Sequence, residues 1–354
     1  MPLKRVRKLD GLRGLACLFV VFSHAANAGY IFFREVPLSG RGSGQIGVVL
    51  FFYLSSYLLT SQFLQRERYD YSYLFAYFSR RFLRVLPLYF IFLAALYFFG
   101  HKLGFSLRNS LVSHFLLVHA DYHLWTIAIE IKYYFILPII CYILSKSETI
   151  IGALILVAGS FLALFVRANA VEEFNCQCFS GFVHFLLLGS GVAFLVNRFN
   201  VNNIPMNQMK LFRGISILSL LGLFVVMPNV FLLLFDREIM LFYFFLFCAG
   251  GIFLYTFVNV DTFVDAFFES GIMRFLGKIS YSVYLWHYPI LNSIKSHQSF
   301  FLERMSFDQL VALYYLSVFF FSTLSYYLFE AFFFRFYPSF DVFKSRHPIA
   351  SSQM

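Results

Sequence analysis

Residues 9–27 read LDGLRGLACLFVVFSHAAN. Asp10 and Arg13 open the stretch, and His24 is the one ionisable group of note between Arg13 and Arg34. A helix needs about 20 apolar residues to cross ~30 Å of hydrocarbon, so this run is long enough for one membrane span. The eleven steps from Arg13 to His24, at about 100° each, return to nearly the same helix face after ~16 Å of rise. Asp10 shares that face. The helix therefore presents a fixed cation at one membrane edge and a titratable imidazole at depth. That pairing suits a long anionic substrate whose reactive end reaches inward.

The remainder of the chain repeats the pattern. Of 354 residues, 60% are hydrophobic and only 13% charged, and phenylalanine alone contributes 52. A soluble domain carries about 25% charged residues. The composition excludes an ordinary soluble enzyme and also a disordered chain, which is rich in charge and poor in apolar residues. Charge-poor stretches follow from Arg41 to Arg66, Arg84 to His101, Glu148 to Arg167, Glu173 to Arg198, Arg213 to Asp236, Glu238 to Asp261, Lys278 to Lys295 and Asp308 to Glu330. His123 to Leu144 is apolar except for Glu130 and Lys132. The spacing predicts an all-α, polytopic membrane bundle of about ten transmembrane helices. Pro228 and Asn229 are expected to kink or split one of them.

Lys and Arg outnumber Asp and Glu by 28 to 18. In a soluble protein that excess would suggest nucleic acid; in this chain basic loops fix orientation instead, so no nucleic-acid partner is expected. With the N-terminus cytoplasmic, Lys4, Arg5, Arg7, Lys8, Arg80, Arg81, Arg84, Arg274 and Lys278 gather on one side, and an even number of spans returns the C-terminus there. Both termini are therefore expected to be cytoplasmic. The basic start MPLKRVRKLDGLRG lacks a following small-residue cleavage site and reads as an uncleaved first span. Cys176 and Cys178 are too close for an unstrained bridge, and no His, Cys or carboxylate cluster has metal-ligand spacing. No metal is expected.

Ionisable side chains at membrane depth are costly and mark functional sites. Glu130, in HLWTIAIEIKYYFILP (123–138), lies two turns into its span. It is either half of a buried ion pair or the group that orients an imidazole and carries a proton. Lys132 points to another face and need not pair with it. SRRFLRVLPLY (79–89) places Arg81 and Arg84 on one face by i,i+3. Guanidinium groups bind phosphate bidentately, so these two are either orientation anchors or a clamp for a nucleotide-bearing donor. In FLGKISYSVYLWHYPIL (275–291), Ser280, Tyr284 and His287 fall on one helical stripe. Trp286 and the remaining tyrosines read as an interfacial aromatic belt, and Glu330 reads as an ordinary helix end near the headgroups.

In this order the segments resemble the acyltransferase-3 family of integral membrane acyltransferases. The pieces that carry the likeness are LDGLRGLACLFVVFSHA, VVLFFYLSSYLLT, RRFLRVLPLY, HLWTIAIEIKYYFILP, FLGKISYSVYLWHYPI and YYLFE. The Arg13–His24 spacing is the most specific of them. Two positions depart from the family pattern: Ser56 stands where glycine is usual, and Ile131 and Lys132 follow Glu130 where a second acidic or amide residue is common. The resemblance implies a single domain over residues 1–340 with a short cytoplasmic tail at 341–354. It also implies transfer of an acyl group, usually acetyl, from cytoplasmic acyl-CoA to a sugar hydroxyl of a surface polysaccharide or its lipid-linked precursor.

On that resemblance His24, Glu130 and Arg13 are the expected catalytic residues, with His24 as general base. Arg13, Arg81 and Arg84 are the expected coenzyme A contacts. Trp125, Ser280, Tyr284, His287 and Glu330 are expected at the acceptor. Acetyl-CoA is the expected co-substrate, and carbohydrate and membrane lipid the expected partners. The expected location is a bacterial inner membrane, and homo-oligomerisation is left open. The competing reading is a proton-coupled transporter of a small anionic or sugar substrate, because intramembrane His and Glu also mark proton relays. Internal repeats would favour it, and the sequence has no obvious one.

Overall fold

A computed structural model describes residues 7–30, 43–66, 69–104, 107, 111–118, 120–169, 182–198, 210–211, 214–215, 218, 250–254, 257 and 264–338. The helices are α1 (Arg7–Asn27), α2 (Ser43–Leu64), α3 (Tyr71–Phe99), α4 (Leu111–Phe115), α5 (Trp125–Lys146), α6 (Thr149–Asn169), α7 (Val183–Arg198), α8 (Asp265–Phe268), α9 (Gly271–Ser296), α10 (Gln298–Leu302) and α11 (Phe307–Ser325). Every element among the described residues is helical.

Among the described residues, five helical stretches are long and apolar enough to cross a membrane: Arg7–Asn27, Gly44–Leu64, Tyr71–Phe99, Tyr122–Lys146 and Phe307–Phe336. The family of about ten spans expected from charge spacing is therefore seen only in part. Most of Arg213 to Asp236, including Pro228 and Asn229, most of Glu238 to Asp261, Cys176, Cys178 and the tail 341–354 lie outside the described residues. The stretch Lys278 to Lys295 does form a helix, α9, although it is not one of these five. It is buried on one face all the same, between α1 and α11.

α1 is the axis of the bundle, with α2 on one side and α9 on the other. Its sequence divides accordingly. Leu9, Leu12, Ala16, Phe19 and Val20 pack into a core shared with α2, α3, α5 and α7. Cys17, Val21 and Ala25 pack into a second core with α9 and α11. In lipid the tails are as apolar as leucine, so close backbone approach, more than apolar burial, holds helices together. The glycines supply that approach at the α1–α9 crossing. A Cβ at Gly277 would fall on the Asp10 carbonyl oxygen, and one at Gly14 on the Met273 carbonyl oxygen.

The departure at Ser56 is accommodated from the other side. Ser56 is fully buried and its hydroxyl donates to the Phe52 carbonyl at 2.8 Å. Gly189 of α7 lies against it, where a side chain would collide with the Ser56 hydroxyl. The small residue of the α2–α7 contact thus sits on α7.

Side-chain caps fix where the helices start. Asp70 accepts from the Tyr73 amide at 2.8 Å, and Ser306 with Gln309 forms a capping box before α11. Beyond α11 the chain continues through a π-helical turn, Tyr326–Glu330, into Ala331–Phe333. Such turns often mark functional sites, and this one carries Glu330.

Candidate active site

Arg13 and His24, one face of α1, open onto two different cavities. Arg13 lines a cavity of about 80 Å³ together with Ser55, Arg84, Glu130, Tyr134, Ser280, Tyr281 and Tyr284. His24 lines a larger one of about 340 Å³ with Ser23, Asn27, Gln45, Tyr122, His123, Trp125 and Tyr288. Val48 and Tyr284 line both. The two cavities therefore lie end to end along α1, as the rise between Arg13 and His24 requires.

The smaller cavity is charged. Arg13 lies within electrostatic range of Arg84, Glu130, Asp10 and Arg81. Arg84 in turn lies within range of Tyr337, Tyr134, Glu330 and Glu130. Glu130 is held in place by two hydroxyl donors, Ser55 from α2 and Tyr134 one turn along α5, the latter at 2.8 Å. Lys132 is exposed and takes no part. Among the described residues neither Arg13 nor Arg84 makes a hydrogen bond or ion pair. Two cations held close to one another without direct partners favour a bound anion. Arg81 lies within electrostatic range of Arg13 but does not line this cavity, and its buried Nε has no hydrogen-bond partner among the described residues.

Three imidazoles meet at the larger cavity. The His24 ring lies 5.1 Å from that of His287, centroid to centroid, and 5.1 Å from that of Tyr288. The His123 and His287 rings are 4.9 Å apart. Carbonyl oxygens only accept, so hydrogen bonds to them fix the tautomers. His123 donates from Nε2 to the Leu285 carbonyl at 3.2 Å. His287 donates from Nδ1 to the Tyr284 carbonyl at 2.7 Å. That leaves His123 Nδ1 and His287 Nε2 as buried acceptors, and neither has a partner among the described residues. His123 follows Tyr122, whose φ of 53° turns the chain sharply into α5.

Tyr284 links the two halves. Its hydroxyl accepts from Thr126 Oγ1 at 2.7 Å and donates to the His123 carbonyl. Ser280 lines the charged cavity, while its hydroxyl donates to the Gly277 carbonyl at 2.9 Å. Trp125 lines the imidazole cavity, its ring tilted at 40° against that of Phe182 with centroids 4.6 Å apart.

The structure brings together Arg13, Arg84, Glu130, Ser280 and Tyr284 around one cavity and His24, Trp125 and Tyr284 around the other. His287 stands behind His24 and is fully buried. Glu330 differs most from its sequence reading. It is 3% exposed and accepts a hydrogen bond from Ser282 of α9, because the π turn swings it inward. The aromatic-belt reading also fails for part of α9: the Trp286 indole donates to Ser325 at 3.0 Å, and Tyr288 faces His24. Sequence reasoning left Ser55, Tyr134 and Ser282 out of the site. Only Tyr134 carried a local signal, its i,i+4 spacing from Glu130.

The apolar helices mark a multi-pass membrane protein, with half-buried cations at one cavity and imidazoles at the next. The chain belongs to the Acyltransferase domain family (acyltransferase-3), which matches residues 6–338. It is 26% identical over 330 residues to the O-acetyltransferase OatA of Staphylococcus aureus (strain NCTC 8325 / PS 47), covering 82% of this chain and 51% of that protein. It is 25% identical over 329 residues to the peptidoglycan O-acetyltransferase OatA of Listeria monocytogenes serovar 1/2a, covering 81% of this chain and 50% of that protein. The chain thus spans about half the length of these curated relatives. No solved structure matches it at a significant level.

Proposed function

We propose that this chain is an O-acyltransferase of a bacterial inner membrane, moving an acetyl group from cytoplasmic acetyl-CoA to a hydroxyl of a cell-envelope carbohydrate. One observation carries the reading: the charged cavity of Arg13 and Arg84 and the imidazole cavity of His24 share Val48 and Tyr284. A donor and an acceptor can therefore enter from opposite sides and meet. The names of the relatives support acetyl transfer and a glycan acceptor.

Arg13 and Arg84, with Arg81 beside them, hold the donor's phosphates. The pantetheine arm is long enough to carry the thioester along the ~16 Å between Arg13 and His24. His24 takes the proton of the acceptor hydroxyl as its oxygen attacks the thioester carbonyl. The new C–O bond forms, the C–S bond breaks, and the thiolate leaves and takes up a proton. A positioned base contributes about 10² to 10⁴ in rate, and holding both substrates contributes further. Glu130, fixed by Ser55 and Tyr134, orients the donor end and sets the local field. Tyr122, Trp125 and Tyr288, with Asn27 and Gln45, offer the aromatic faces and amides that a sugar uses.

The test is acetyl transfer by purified protein in lipid nanodiscs, with radiolabelled acetyl-CoA and soluble glycan fragments. Labelled glycan that requires both Arg13 and His24 supports the reading. A proton-coupled uptake signal with no acetyl-CoA turnover would overturn it in favour of a transporter.

A further inference from the structure

We infer that Tyr284 and Val48 form a neck between the donor and acceptor cavities, and that the girth of this neck selects small acyl groups. The inference rests on the acyltransferase reading and deepens it. Val48 of α2 and Tyr284 of α9 line both cavities. Any acyl group carried from the arginines toward His24 must pass them.

The neck is built to keep its shape. The Tyr284 hydroxyl is held at both ends of its hydrogen-bonding capacity, accepting from Thr126 and donating to the His123 carbonyl. Its ring is braced by Phe51 of α2, edge to face at a centroid distance of 6.5 Å. The residue is buried, 8% exposed. Swinging the ring aside breaks two buried hydrogen bonds and leaves their partners unsatisfied. Val48 is β-branched and has one favoured rotamer in a helix, so it yields little. An acetyl group presents one methyl to this gap. A branched acyl group presents two and must displace one of the walls.

Hydrophobic sites discriminate by roughly tenfold or more for each methylene that fits poorly.

The experiment compares acetyl-CoA with isobutyryl-CoA as donors for the full chain in nanodiscs, in the parent and in Tyr284→Ala, Tyr284→Phe and Val48→Ala. The parent is expected to use acetyl-CoA and to reject isobutyryl-CoA. Tyr284→Ala and Val48→Ala should each raise the isobutyryl-to-acetyl ratio of kcat/KM by about tenfold. Tyr284→Phe keeps the ring but loses its tether, and should raise the ratio less. If Tyr284→Ala fails to insert, the ratio in Val48→Ala decides. An unchanged ratio in alanine variants that still transfer acetyl overturns the neck and leaves the acyltransferase reading standing. Loss of all acyl-CoA turnover in the parent itself sinks that reading instead.

Discussion

His24 of α1 and His287 of α9 face each other across the crossing of these two helices, ring centroids 5.1 Å apart and planes inclined at 53°. His287 is pinned by its own helix, through Nδ1 to the Tyr284 and Val283 carbonyls. His24 makes no hydrogen bond among the described residues and lines the larger cavity. Under the proposed function His24 is the reacting base and His287 is a positioning residue. His24→Ala should lower kcat by at least about 10² while the protein still inserts and elutes as a single species. His24→Ala with near-parent turnover would remove the base from the mechanism.

Removing the cations should act on donor binding. Arg13→Ala and Arg84→Ala each delete one charge-assisted phosphate contact, worth ~1.5 to 3 kcal/mol, or about tenfold or more in affinity. The Michaelis constant for acetyl-CoA is expected to rise by that factor with the acceptor constant unchanged. Arg13→Lys should recover part of the loss, since the charge returns without the fork. Parent-like saturation in both alanine variants would reduce these arginines to orientation anchors.

Glu130 accepts from Ser55 and Tyr134 at once. Glu130→Gln is expected to depress kcat more than the Michaelis constant for either substrate, because shape is kept while charge is lost. Ser55→Ala should follow in the same direction and more weakly, since one donor remains. A variant series that changes only thermal stability would mark Glu130 as structural.

The α1–α9 crossing has no room for side chains at Gly14 and Gly277. Gly277→Ala and Gly14→Ala should each cost about 1–3 kcal/mol through forced separation of the helices. Detergent thermal-shift measurements should show a lowered midpoint, along with reduced turnover, because His24 and His287 are carried by those two helices. A parent-like midpoint in both variants would mean that the crossing is looser than the structure has it.

Sidedness can be read with thiol chemistry. Asn27 is exposed and lines the imidazole cavity, whereas Arg274 is exposed at the opposite end of α9 from His287. In a background with Cys176, Cys178 and Cys248 replaced by serine, Asn27→Cys should react with an impermeant reagent added outside and be protected by glycan fragments. Arg274→Cys should react only when the inner face is accessible. Cys17 and Cys141 are buried and should stay silent. Labelling of Asn27→Cys from the inside alone would place both substrates on one face.

Much of this protein was legible in its sequence because lipid imposes simple rules. Without water every backbone group must bond within its own helix, so apolar length announces the spans. Expensive side chains stand out against that background, which is why Arg13, His24, Glu130 and the arginines of α3 could be picked by type alone. The shared face of Arg13 and His24 followed from the helical period. Local geometry could not reveal what crosses between helices. Ser55 reaches Glu130 from 75 residues away, and Ser282 reaches Glu330 from 48. His123 joins His287 only because Tyr122 turns the chain at a positive φ and α5 packs where it does. Glu330 looked like a surface helix end until a π turn rotated it inward. Sequence determined which groups lie at depth, since that depends on counting residues along one axis. Tertiary structure decided which of them meet, since that depends on how close two helices can approach, and glycines at their crossing set the distance.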